Sequence, residues 1–178
     1  MRQSAPRLTL SVSPCAERDR QMPVAKSDKE YVFKVALKRS KRIFRTIAVR
    51  GDQTLGDLHE GIFVAFDRYD AHLYCFYFPK APSRRETTGP IPKEYTAPQL
   101  FDGPDPFSRV RRFDAAQSRL DDLRLKPGQQ FEYLFDFGDS WWHEGTLVAV
   151  NSSVLRARYP QVRESRGNSP PQYEASDD

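Results

Sequence analysis

The sequence predicts an α+β fold: a single domain in which a mixed sheet of about five strands carries one main helix, in a β-grasp-like order. Three observations carry this reading. Large apolar residues alternate with period two in Tyr31, Phe33, Val35 and Leu37, and again in Phe131, Tyr133, Phe135 and Phe137. Between these runs, Leu55, Leu58, His59, Ile62, Phe63 and Phe66 fall at helical spacing and form one apolar stripe. With 178 residues, 38% of them hydrophobic, and with twelve Phe and eight Tyr, the chain can bury one core and is too short for two comfortable ones.

Taken in order, residues 1–29 hold Pro6, Pro14 and Pro23 without any sustained period and read as a flexible leader. The folded pattern opens at Tyr31, which makes Met22 a candidate start. Tyr31 to Leu37 and Ile43 to Val49 form a hairpin whose turn is the basic run Lys38 to Arg42. Thr54 caps the helix, and Asp57 three residues on completes a capping box. His72 to Phe78, apolar or aromatic at nearly every position, reads as a central strand buried on both faces.

Seven prolines between Pro79 and Pro106 make that stretch a long loop with at most short edge pieces. Asp114 caps a short helix through Leu123, and Lys126-Pro127-Gly128 turns the chain into a second hairpin from Phe131 to Val150. Its turn reads as the two residues Gly138 and Asp139, which pairs Asp136 with Trp141 and Leu134 with His143. The domain then spans residues 30–160, and residues 161–178 form a tail that docks only in part.

Composition narrows the function classes. The body from 31 to 158 carries twenty basic and sixteen acidic residues, a balance that permits nucleic acid without providing a dedicated basic surface. Two cysteines, Cys15 and Cys75, build neither a disulfide framework nor a CxxC zinc site, which fits a reducing cytoplasm. No apolar run approaches the roughly 20 residues of a membrane-spanning helix. No phosphate-binding glycine loop or Gly-x-Ser-x-Gly elbow occurs. His59-Glu60 opens like a zinc-protease helix but lacks the second His one turn later, and Asp136-Phe137-Gly138 stands without the other kinase segments.

The run Asp136-Phe137-Gly138-Asp139-x-Trp141-x-His143 resembles the plasmid pRiA4b ORF-3-like family. So do Tyr31-x-Phe33-x-Val35-x-Leu37, Arg45-x-Ile47-x-Val49, Thr54-Leu55-x-x-Leu58-His59, His72-Leu73-Tyr74-x-Phe76, Tyr159-Pro160 and Pro170-Pro171. The resemblance covers about residues 31 to 174 and implies a shared fold and a common site. The family usually places a Cys after the Tyr-Pro pair and glycines after the Pro-Pro pair. Here Val162 and Gln172-Tyr173-Glu174 stand instead.

Two-residue turn geometry puts Asp136, Trp141 and His143 on one side of the second hairpin and Phe131, Tyr133, Phe135, Phe137 and Trp142 on the other. Asp136, Asp139, Trp141 and His143, joined by His59 and His72, are thus the candidate ligand-binding residues. The bland reading is that Asp139 bonds its own backbone in the turn, that Asp136 ties down Trp141 or His143 without any ligand, and that His59 is a hydrogen-bonded core histidine. The leading function is an accessory or binding module without catalysis, taking a protein, peptide or small ligand near residues 136–143. A first alternative is a metal-dependent hydrolase or nuclease in which His59, His72, His143 and Asp136 hold a divalent ion, with Glu144 as base. A second is a nucleic-acid accessory protein of a mobile element, using Lys38, Arg39, Lys41, Arg42, Arg109, Arg111 and Arg112 as a basic stripe.

Overall fold

Tyr31, Phe33, Val35 and Leu37 are each at most 4% exposed, and with Ile47, Val49, Phe76, Phe131, Tyr133 and Phe135 they make one face of a sheet into the core. The computed structural model describes residues 26–78, 93–103, 110–152 and 157–173. All its strands belong to a single sheet. In chain order they are β1 (Glu30–Leu37), β2 (Ser40–Arg50), β3 (Tyr74–Phe78), β4 (Lys93–Thr96), β5 (Arg111–Asp114), β6 (Gln130–Phe135), β7 (Trp141–Asn151) and β8 (Gln161–Arg166). Across the sheet the order is β5-β4-β3-β6-β7-β1-β2-β8, and only the β4–β5 pair is parallel.

The expectation of about five strands in a β-grasp-like order is therefore overturned: the sheet has eight. The mixed α+β character with one main helix stays. The three unforeseen strands lie at or next to the edges and are held mainly by backbone hydrogen bonds, so they lack a period-two apolar signal. β4 and β5 are four residues each, and β8 (Gln-Val-Arg-Glu-Ser-Arg) is exposed at nearly every position. β8 lies after Pro160, in the stretch read from sequence as a tail. It joins β2, and Arg163 from it meets Glu30 on β1 at 2.7 Å. Burial pushes the Glu30 pKa up, but hydrogen bonds from Tyr159, Asn151 and Arg163 outweigh it and hold the carboxyl below its ordinary value.

The main helix α1 (Leu55–Ala65) begins where Thr54 accepts the Asp57 amide while the Asp57 carboxylate accepts the Thr54 amide at 2.7 Å. Leu55, Leu58, Ile62 and, just past the helix, Phe66 are at most 1% exposed and pack on the aromatic face of the sheet. The Asp114 helix is interrupted: Asp114 caps a single 3-10 turn, Ala115–Gln117, and a short helix α2 (Leu120–Leu123) follows after Ser118. The leader up to residue 25, most of the proline-rich stretch (79–92) and Arg109 lie outside the described residues.

Gly145 on β7 is where backbone and ring approach most closely, since an added Cβ would come within 2.0–2.4 Å of three atoms of the Phe131 ring. Gly145→Ala is expected to destabilise the domain by about 2–3 kcal/mol through overpacking. Urea unfolding should show Phe131→Leu recovering a large part of that loss in the double variant.

Candidate functional site

The site is built around the β6–β7 hairpin, and its register differs by one residue from that of a two-residue turn. Phe135 pairs with Trp141, Leu134 with Trp142, and Tyr133 with His143. Five residues, 136–140, make the reversal. Asp136 and Ser140 both adopt left-handed backbone, at φ 57° and 55°. The cause is the Asp136 side chain, whose Oδ1 accepts the backbone N–H groups of Gly138 at 2.9 Å and Asp139 at 3.3 Å. A one-residue shift exchanges the faces of a strand. Trp141 and His143 therefore share the inward side with Phe131, Tyr133 and Phe135, and Trp142 turns outward with Leu134. The grouping of Asp136, Trp141 and His143 opposite the Phe-rich side does not hold.

His143 is 1% exposed and His59 is 8% exposed. His59 stacks on Tyr74 with ring centres 3.7 Å apart, and its Nδ1 lies 2.7 Å from the Tyr133 hydroxyl. Burial holds that hydroxyl well above the ordinary phenol range, so it stays protonated in its hydrogen bond with the imidazole. The ring centre of His143 lies 5.3 Å from that of the same Tyr133 and edge-on to Phe66 at 4.8 Å. Its Nδ1 donates to the Trp141 carbonyl at 3.0 Å, which leaves Nε2 as a buried lone pair without a partner. Burial lowers both imidazoles to about 3, and at His143 the Arg68 charge adds to the effect. Both rings are neutral core groups.

His72 lies elsewhere, at the surface, with its Nε2 2.7 Å from the Tyr173 hydroxyl and 3.6 Å from the second oxygen of Asp136. The three histidines thus do not converge: Tyr133 separates the two buried ones, and Phe135 stands between His59 and His72. Among the described residues no group of three His, Cys, Asp or Glu side chains is placed to hold a metal ion. The expected set His59, His72, His143 and Asp136 is not a ligand set. Glu144 points to the opposite face, paired with Lys41 at 2.7 Å.

What does converge is a cleft of about 540 Å³. Arg39 from the β1–β2 turn, Asp139 and Trp141 from the β6–β7 reversal, and Pro170, Pro171, Gln172 and Tyr173 from the end of the described chain line it. Asp136 and His72 stand at its edge through Tyr173. The last four residues form a strap fastened to the segment after α1. Ser169 Oγ donates to the Phe66 carbonyl at 2.8 Å, and the Gln172 side chain, 1% exposed, accepts the Tyr69 and Asp70 amides while donating to the Asp70 carbonyl. Tyr173 donates to the Asp70 carboxylate at 2.7 Å.

Sequence reasoning missed Arg68, which is 6% exposed. Its guanidinium lies over the Trp141 ring at 3.8 Å, and Nη1 donates to the Pro170 carbonyl at 3.0 Å. The only hint is a charge two residues beyond the last member of an apolar helical stripe. The basic residues do not make one stripe either. Arg111 and Arg112 are on β5, five strand spacings from the β1 end where Lys38 and Arg39 begin, about 24 Å away. Lys38 pairs with Glu132, Lys41 with Glu144 and Arg112 with Glu94, at 2.7–2.9 Å.

The fold is a one-sheet α+β domain with a small polar and aromatic cleft at one end of the sheet, lined in part by residues 170–173. The chain belongs to the plasmid pRiA4b ORF-3-like family, whose model matches residues 29–173. It is 29% identical over 134 residues to the uncharacterized protein y4hQ of Sinorhizobium fredii, covering 73% of this chain and 58% of that one. The chain thus spans little more than half the length of that relative. A crystal structure of a protein of unknown function from Methanosarcina mazei Go1 shares the fold, with a TM-score of 0.63 and 22% identity over 81% of this chain and 73% of that one.

The neutral buried histidines set a pH dependence. Their pKa in the folded chain, about 3, lies below the ordinary 6.5, so the unfolded chain binds the extra protons. Their contribution to stability is complete above about pH 6.5 and is lost as pH falls toward 3, by up to about 1.4 kcal/mol per pH unit for each ring. Urea midpoints measured from pH 7.5 to 5 should fall in the native chain and fall less steeply in His59→Gln and His143→Gln.

Proposed function

We propose that this domain is a non-enzymatic binding module, and that a small ligand or a short peptide end occupies the cleft between the two hairpin turns and the Pro170–Tyr173 strap. One observation carries this reading: three segments distant in sequence, around residues 39, 139–141 and 170–173, meet on one concave polar and aromatic surface. Its volume is in the range that encloses a small ligand, about 300–1,000 Å³. Trp141 and Tyr173 supply flat apolar area, while Arg39 and Asp139 supply opposite charges at the mouth. Catalysis has less support. The two most perturbed imidazoles are sealed in the core, and the exposed His72 is engaged by Tyr173 and two carboxylates.

The chain has two tryptophans, Trp141 at the cleft and Trp142 on the other face, stacked on Tyr77. In a Trp142→Phe variant, emission reports on Trp141 alone. A screen of small polar compounds and short peptides against this variant is expected to yield hits that shift the emission and weaken at least tenfold in Tyr173→Ala. A screen in which no compound alters Trp141, or in which a hit is turned over, refutes the reading.

A further inference from the structure

Among the described residues two arginines are buried, Arg45 and Arg68, and they are treated differently. Arg45, 4% exposed, is satisfied by carbonyls: Nε donates to Ala65 at 2.6 Å, and Nη1 donates to Phe44, Arg166 and Gly167 at 2.9–3.1 Å. Arg68 is nearly as buried, yet its Nε and Nη2 have no hydrogen-bond partner, and among the described residues no carboxylate lies within ion-pair distance of it. The adjacent Asp67 is exposed. Trp141 Nε1, under the same guanidinium, is a third buried donor without a partner.

A buried cation with unmet N–H groups is among the more costly arrangements in a folded chain, and where it persists something else meets the charge. The identity of the free atoms narrows what that is. Nε and Nη2 form one edge of the guanidinium, two parallel N–H groups whose spacing matches the two oxygens of a carboxylate or a phosphate. The opposite edge is already taken by the Pro170 carbonyl. Trp141 and Pro170, which Arg68 touches, are walls of the cleft, so the guanidinium lies directly behind the cleft lining.

We infer that the cleft is an oxyanion site: a ligand carboxylate or phosphate pairs side-on with Arg68 Nε and Nη2 and takes Trp141 Nε1 as a third donor. The inference rests on the cleft being the binding site and names the chemistry of its ligand. Arg39, exposed on the β1–β2 turn, adds a cation at the mouth, and Asp139 opposite it opposes bulk anions, so selectivity comes from the deep fork. The anion reaches Arg68 as the Pro170–Tyr173 strap lifts from it.

The test is thermal unfolding at pH 7.5 and constant ionic strength, with sodium chloride replaced stepwise by sodium acetate or by sodium phosphate. Saturable stabilisation by one of them is expected, about 3–6 °C at ten times its Kd, and which anion acts decides between carboxylate and phosphate. Arg68→Met keeps the stem, removes the unmet charge, and should unfold in chloride no earlier than the native chain while losing the anion effect. Should that variant not fold, Arg39→Ala and Asp139→Asn at exposed turn positions decide: the first lowers anion affinity and the second raises it, each by at least threefold. Equal stabilisation of Arg68→Met, or no stabilisation beyond chloride by either anion, overturns the inference. If neutral or cationic compounds still shift Trp141 emission in that case, the binding module stands and only its ligand chemistry is wrong.

Discussion

The Asp136 carboxylate, by holding the amides of Gly138 and Asp139, widens the β6–β7 reversal to five residues and so sets the register on which both the core and the cleft depend. With a two-residue turn, Tyr133 would no longer lie opposite His143, and the side chains of β7 would change faces. The short polar side chain acts where the backbone needs left-handed geometry at Asp136 and Ser140. Its second oxygen faces His72 at the surface. The motif Asp-Phe-Gly-Asp-x-Trp-x-His is thus largely a folding device. Asp136 makes the reversal, and His143 fills a place in the core beside Phe66, while Asp139 and Trp141 are delivered to the cleft.

The core that results is unusually polar at its centre. Tyr74, His59, Tyr133, His143 and Phe66 run in a continuous line of ring contacts from the helix side of β3 to β7. The Arg45 guanidinium also lies over Phe66, 5.0 Å from its ring centre. These imidazoles survive burial by giving up their charge and exchanging hydrogen bonds with a phenol and a carbonyl, the usual way a buried polar group is kept. Arginine has no such option, because its guanidinium does not deprotonate in a protein. Arg45 meets the difficulty with four carbonyl bonds, and Arg68 is left with one edge unmet.

The two faces of the sheet have correspondingly different roles. The face away from α1 carries Lys38 with Glu132, Lys41 with Glu144 and Arg112 with Glu94, a mosaic of paired charges around the Tyr77–Trp142 stack. Glu132 is buried, but the other two pairs are partly exposed and add little stability, and the three together present no single sign of charge to a polyanion. The cleft instead sits at the end of the sheet, where two hairpin turns and the strap meet. Apart from Trp141, the first residue of β7, its lining residues lie in turns and the strap rather than in the ladder.

Local signals determined what was legible in the sequence. The Thr54–Asp57 capping box and its stripe placed α1, the alternation from Tyr31 to Leu37 placed β1, and the aromatic runs placed β3 and β6, because each is written by residues adjacent along the chain. The tertiary structure alone decided the rest. β4, β5 and β8 exist through backbone pairing to strands far away in sequence and bury few side chains, so no periodicity announces them. Arg68 carries no motif, and its role comes from Trp141 and Pro170 arriving from positions 73 and 102 residues further on. The register of β6 with β7 turned on one carboxylate choosing backbone amides over solvent, a choice that residue spacing does not encode and that reversed which side of the hairpin His143 occupies.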